Sequence, residues 1–217
     1  GAFPPLGPLY VLTYLEEHTT GHEFFFKDCV AEGLRYPGLR DYFEEVKPDV
    51  VGITSFTVCL MDVLMTARLA REINPDVHLC LGGHHPIAYP REAAELKEFD
   101  SVVVGEGEIA FTELVKCLDK GEDFTHIRGV YTRESIKPHL ESPTRDKRFL
   151  ARVSVPAAYV DDIDSIPIVN RKYIRGNKYY NIIGSTSDLA TILSSRGCPY
   201  LCTFCDVPIK SYRERSA

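Results

Sequence analysis

The chain has 217 residues, 44% of them hydrophobic and 26% charged, with a formal net charge of −6; that is the balance of a globular fold. An acidic chain presents no broad basic face, which excludes a general affinity for nucleic acid or an anionic membrane. No apolar run approaches the ~20 residues needed to span a bilayer, and "GAFPPLGPLY" lacks the basic start and apolar core of a signal peptide.

In chain order, "FPPLGPLYVLTYLEEH" reads as a loop entering a helix. From about residue 22 to 119 apolar, β-branched runs alternate with helical patterns. Strands are expected at 22–28, 49–55, 77–83 and 101–107, and helices at 38–47, 60–73, 87–98 and 108–119. In the helix at 60–73, Leu60, Val63, Leu64, Ala67, Ala70 and Ile73 recur at three- and four-residue steps and form one buried stripe. Strand–helix repeats of this length predict βαβ units, and hence an α/β fold with a doubly wound parallel sheet over residues 1–135. Only Gly1, Ala2 and Phe3 precede the first prolines. The expectation is therefore a sequence that begins just after a strand, and a sheet that lacks one central position.

Farther on, "IRGVYTR" (127–133) suits a short strand, and "KPHLESPTRDKRF" is a charged, proline-bearing connection whose "RDKRF" (145–149) reads as a solvated run. Residues 136–185 are expected to be a linker, pinned near its end by Pro167. A β-run from Ala190 to Ser194 leads into the cysteines, and residues 186–217 open a second domain.

Three of the seven cysteines, Cys198, Cys202 and Cys205, crowd into "SSRGCPYLCTFCDVP". An odd count rules out a complete disulfide framework, and the crowding favours metal ligation in a reducing compartment such as the cytoplasm. Thiolates hold zinc or iron–sulfur clusters, and both usually take four protein ligands. Three ligands leave one position open, which suits a cluster whose free iron binds a substrate or cofactor. Zinc completed by a distant fourth ligand is the plainer alternative. Cys29, Cys59, Cys80 and Cys117 are scattered in or beside apolar runs and read as small buried hydrophobes.

The order Cys198-Pro-Tyr-Leu-Cys202-Thr-Phe204-Cys205 resembles the cluster loop of radical S-adenosylmethionine enzymes. That resemblance implies a [4Fe–4S] cluster on the three cysteines, with S-adenosylmethionine on the fourth iron, cleaved to a 5′-deoxyadenosyl radical. It also implies a partial (β/α) barrel beginning at the preceding strand, and Phe204 beside the adenine.

The α/β region carries a second resemblance. Loops at the expected carboxyl ends of strands hold Asp28 to Gly33, Thr54-Ser55-Phe56-Thr57, Gly82-Gly83 and Gly105-Glu106-Gly107-Glu108. Ligands of open parallel sheets bind outside those ends. Taken in order, these loops resemble the cobalamin-binding domain pattern D-x-H-x-x-G, S-x-L, GG. That resemblance assigns Asp28, Gly33, Thr54, Ser55, Thr57, Gly82, Gly83, Gly105, Glu106 and Gly107 to cofactor binding. Two positions depart from it: Val30 stands at the histidine, and Thr57 at the leucine. Any cobalamin is accordingly expected base-off, with no protein imidazole beneath the cobalt. His84 and His85 are adjacent, so their side chains do not converge on one ion, and a loop role is expected. Glu106 and Glu108 also suit the positive end of the helix that follows.

Together the resemblances imply the N-terminal portion of a cobalamin-binding radical S-adenosylmethionine enzyme. The implied chemistry is methyl transfer to an unactivated carbon or phosphorus, or an oxidative cyclisation such as that of magnesium-protoporphyrin monomethyl ester. An external electron donor such as flavodoxin or ferredoxin would serve it, and this stretch alone would be inactive. The alternative from another class is a non-catalytic cobalamin or nucleotide sensor with a structural zinc loop.

Overall fold

The computed structural model describes residues 3–143, 148, 155–176, 179, 190–200, 202–205 and 207–216. Most of the charge run at 145–149 and the end of the expected linker lie outside the described residues.

Four strands form one sheet in the order β1 (Val50–Thr54), β2 (His78–Gly82), β3 (Ser101–Val103) and β4 (Val130–Tyr131). β1 and β2 run parallel in the register Val50↔His78 to Thr54↔Gly82, β3 continues parallel with Cys80↔Ser101, and β4 closes antiparallel with Val102↔Tyr131. Successive residues of a strand point to opposite faces. Leu79 accordingly packs with Leu39 and Phe43 of α2 (Tyr36–Val46) and Ala67 and Ala70 of α3 (Leu60–Ile73). Its neighbour Cys80 packs with Ala110 and Leu114 of α6 (Gly107–Lys120) on the other face. Leu79, Leu81 and Leu114 are fully buried, and each contributes about 1.5–3 kcal/mol relative to exposure. α1 (Leu6–His18) covers α6 from outside: a Cβ on Gly107 would stand 3.1 Å from Val11 Cγ2. The α/β architecture with helices on both faces is the one expected.

Four local expectations are corrected. Residues 22–28 form no strand. β1 has no described strand on its far side, so this segment has no ladder to join. It stays extended, with Phe26 packed on the cluster around Leu9 and Tyr10. The single helix at 87–98 is two, α4 (His84–Ala88) and α5 (Pro90–Glu95). Pro90 disfavours helical geometry in the residue before it, and Tyr89 sits at φ −134°, ψ 63°. The charged connection holds a short helix, α7 (Lys137–Glu141), with Pro138 in its first turn, where the missing N–H costs nothing.

The fourth correction concerns the cysteine segment. Its strand is β5 (Ser195–Arg196), not Ala190–Ser194, and it pairs antiparallel with β6 (Arg213–Glu214). Among the described residues no helix is long and apolar enough to cross a membrane.

Candidate cofactor edge and cysteine loop

Because β1, β2 and β3 are parallel and adjacent, the loops after them share one end of the sheet. Gly82, Gly83 and Gly105 therefore gather at that carboxyl edge. The glycines serve different ends. A Cβ on Gly82 would meet nothing within 4 Å, so its face is open. Gly83 lies at φ +93°, and a Cβ there would strike the Thr54 side chain and the Ser55 backbone. Gly105, at φ +111°, is filled by the chain itself: a Cβ would lie 2.2 Å from Ala158 O. A Cβ on Gly107 would crowd the Val11 side chain of α1. The resemblance assigns Gly83, Gly105 and Gly107 to the cofactor, yet at each of them a Cβ would meet protein atoms.

Ser55 is fully buried. It ties the edge together, its N–H donating to Gly82 O at 2.9 Å and its carbonyl accepting from His85 N at 3.0 Å. Thr57 Oγ1 lies 3.1 Å from His85 Nδ1. His85 itself is buried with Nε2 unpartnered, and burial holds its pKa below the ordinary value despite the opposing charge of Glu92. His84 stacks on Phe56 with ring centroids 4.8 Å apart. The two histidines open α4 instead of lying in a loop, and each meets the residues after β1: His84 the Phe56 ring and His85 the Thr57 hydroxyl.

Asp28 organises the turn before α2. Its Oδ1 accepts from the N–H groups of Val30 and Ala31, and its Oδ2 accepts from Tyr179 Oη at 3.0 Å. Gly33 closes the turn at φ +64°. Tyr36 Oη donates to Asp62 Oδ1 at 2.6 Å, which brings the start of α2 to the start of α3. Val30, Phe56, Val58 and Met61 are all exposed at this end. Such a group of uncovered apolar side chains marks a binding surface.

The cysteine loop runs from Gly197 to Tyr212, closed at its neck by the cross-strand pair Arg196↔Arg213. Gly197 stands at φ +82° where a Cβ would strike Ser211 O, and the Cys198 N–H donates to Ile209 O at 3.0 Å. Cys205 N–H turns back onto Cys202 O at 3.2 Å. Cys198 and Cys205 are half-buried and Cys202 is exposed, and no cysteine forms a disulfide. Phe204 is 90% exposed. The three thiols share the loop without meeting at one point, and among the described residues no three potential ligands converge as a metal site. The donor set suits an iron–sulfur cluster with one open iron. The scattered cysteines do not: burial pushes the Cys80 thiol up to about 12 and raises that of Cys29, with Glu32 and Asp28 adding to the effect.

Glu106 and Glu108 do not cap α6, whose N-terminus has no side-chain cap. Instead they reach the neck of the cysteine loop. Glu108 Oε1 accepts from Arg196 Nη2 at 2.6 Å. Glu106 accepts from Arg196 Nη1 at 3.3 Å, from Arg213 at 2.8 and 3.0 Å, and from the Val160 N–H at 2.7 Å. The four side chains are at most 14% exposed. Burial works against the Arg196 charge, and Glu108 and Glu106 more than offset it, so its pKa is raised. Removing one partner from such a buried pair costs about 3–5 kcal/mol. Arg196 and Arg213 were missed in the sequence because 88 and 107 residues separate them from their carboxylates. The available signal was two arginines flanking the cysteines and two glutamates in one short loop.

The B12 binding domain family matches residues 1–115. A Pyrococcus horikoshii protein named as an uncharacterized methyltransferase is 31% identical over 93% of this chain and 40% of its own length. The anaerobic magnesium-protoporphyrin IX monomethyl ester cyclase of Rubrivivax gelatinosus is 29% identical over 94% of this chain and 35% of its own length. Among solved structures, the radical S-adenosylmethionine methyltransferase TsrM of Kitasatospora setae, with cobalamin and a [4Fe–4S] cluster bound, superimposes with a TM-score of 0.65 at 20% identity, over 98% of this chain and 41% of its own. The cobalamin-dependent S-adenosylmethionine radical enzyme OxsB gives 0.70 at 18% identity, over 98% of this chain and 27% of its own. At these identities the structures speak for the fold. The chain spans about 40% or less of each of these relatives. With the family match covering residues 1–115 of 217, the chain belongs to the B12-binding domain family.

Proposed function

We propose that this chain holds cobalamin against the carboxyl edge of its sheet and a [4Fe–4S] cluster on Cys198, Cys202 and Cys205, as part of a radical S-adenosylmethionine enzyme. One observation carries the reading: Arg196, two residues before Cys198, is paired with Glu106 and Glu108 where the loop after β3 enters α6 at that same edge. The two candidate cofactor regions are thereby neighbours. When bound, the cluster supplies an electron to S-adenosylmethionine, and cobalamin supplies a transferable methyl group or a second redox partner.

The chain's own contributions follow from its residues. Three thiolates leave one iron for the amino and carboxylate groups of S-adenosylmethionine. Phe204, exposed in the loop, offers a ring face for the adenine. The open face of Gly82 and the rim of Phe56, Val58 and Met61 receive the macrocycle. Val30 has no lone pair, so this turn would offer no nitrogen ligand to a bound cobalamin, which would be held base-off if its own tail is displaced. The reaction is methyl transfer to an unactivated carbon or phosphorus, or an oxidative cyclisation, and a small electron-transfer protein of the flavodoxin or ferredoxin type feeds the cluster in a reducing compartment.

Anaerobic reconstitution of the full-length protein with iron, sulfide and cobalamin tests this. The expected result is iron and sulfide in equal amounts, a broad brown absorbance, and release of 5′-deoxyadenosine or S-adenosylhomocysteine under reduction. Stoichiometric zinc without sulfide would replace it with the sensor reading.

A further inference from the structure

The neck of the cysteine loop sets two like charges against each other. In the two-residue ladder of β5 and β6, Arg196 lies directly opposite Arg213, and like charges at directly opposed positions destabilise a strand pair. Both guanidiniums are also largely buried, at 14% and 9% side-chain exposure, so solvent does little to screen them. A ladder this short has few hydrogen bonds of its own, and closing the loop of residues 197–212 carries an entropic cost. By itself this neck should open.

What opposes the opening comes from the other domain. Glu106 bridges both arginines and the Val160 N–H, and Glu108 takes the second Nη of Arg196, so two carboxylates balance two guanidiniums. The aromatic faces of Tyr159 and Tyr10 lie under the cations, with Arg213 4.2 Å from the Tyr159 centroid and Arg196 5.1 Å from that of Tyr10. Arg213 also donates to the Val160 carbonyl.

We propose that Glu106 and Glu108 are positioning residues for the cysteine loop, closing it by neutralising the Arg196–Arg213 pair. The loop that carries the cluster ligands is thus held shut by carboxylates standing at the cobalamin-side edge of the sheet. The inference deepens the proposed function, and its name for the loop's ligand rests on that reading; the closing itself does not. Cys198 gains most, because its N–H bond to Ile209 O lies just inside the neck.

The test is built to separate the two. Hydrogen exchange at the Cys198 amide is followed in the protein free of iron and cobalamin, for the wild type, Glu106→Gln and Glu106→Gln with Arg213→Gln. Glu106→Gln keeps the shape and removes the charge, and exchange should quicken roughly tenfold or more, as expected when a buried charged hydrogen bond is weakened. The double variant removes one of the opposed cations and should recover part of the protection. A merely structural hydrogen-bond network would lose further protection instead. The amides of Leu79 and Leu81 report that the sheet remains folded. In cluster-loaded protein, iron loss to a chelator should quicken in parallel and the electron paramagnetic resonance of the reduced cluster should broaden. Unchanged exchange at Cys198 in Glu106→Gln, or greater loss in the double variant, overturns the proposal. Failure of the wild type to load a cluster would sink the proposed function while leaving the exchange result to decide this one.

Discussion

Gly83 turns directly over Thr54: a Cβ on Gly83 would stand 2.6 Å from Thr54 Oγ1 and 2.7 Å from the Ser55 amide nitrogen. Its neighbour Gly82 has nothing within 4 Å of the same construction. Two adjacent glycines therefore sit in different surroundings, and Ala separates them.

Gly83→Ala should destabilise the fold by about 2 kcal/mol or more, since it adds left-handed strain to a backbone clash. Gly82→Ala should leave stability within about 1 kcal/mol of the wild type. It should nonetheless weaken cobalamin binding by crowding the open face. Urea denaturation and a cobalamin titration on the same three proteins check both halves. Equal destabilisation by the two variants would contradict the assignment.

Cys198→Ala, Cys202→Ala and Cys205→Ala should each abolish iron and sulfide uptake on reconstitution. Cys59→Ala and Cys117→Ala should leave it intact: Cys59 Sγ already donates to Phe56 O at 3.1 Å, and Cys117 is buried in α6. Iron analysis after desalting decides between them.

The cobalt(II) state of bound cobalamin should show a base-off electron paramagnetic resonance spectrum without nitrogen superhyperfine splitting, because exposed Val30 offers no donor. Val30→His, on a turn already held by Asp28 Oδ1, should introduce that splitting. Splitting in the wild type would assign a nitrogen ligand elsewhere.

Stability should fall as the solution becomes mildly acidic. Burial lowers the pKa of both His78 and His85 in the folded state. Above the unfolded value of about 6.5 both states are neutral and these residues add no pH dependence. As the pH falls through that value only the unfolded chain takes the protons, so stability declines until the folded pKa is reached. Urea midpoints from about pH 7.5 to about pH 5 measure the slope. His85→Gln, which can still meet Thr57, should flatten it in part; an unaltered slope would mean that His85 carries none of it.

Much of the fold is legible from periodicity because burial in this sheet is regular. The stripe at 60–73 and the runs around β1, β2 and β3 announce themselves, since each packs against its sequence neighbours. The misreadings occur where a single residue or a distant partner decides. Pro90 splits one amphipathic pattern into α4 and α5. Residues 22–28 carry an apolar run around Phe24, Phe25 and Phe26, yet sheet formation needs a neighbour that no local pattern supplies. In the site, the cysteine spacing and the edge glycines could be read directly. The partners of Glu106 and Glu108 could not, because charge pairing across 88 to 107 residues leaves no period in the sequence.

Ala158 threads between two glycines. It forms a parallel bridge with Gly105, donates its N–H to Val104 O and accepts from Glu106 N. A Cβ on Gly129 would lie 2.3 Å from its nitrogen and 2.6 Å from its own Cβ. In evolutionary terms the three positions form one epistatic unit. A larger residue at Gly105 or Gly129 is shut out while Ala158 passes there, and a bulkier residue at Ala158 would meet the same crowding from the other side. Relatives that alter one of the three should alter the others with it, or reroute the returning chain altogether.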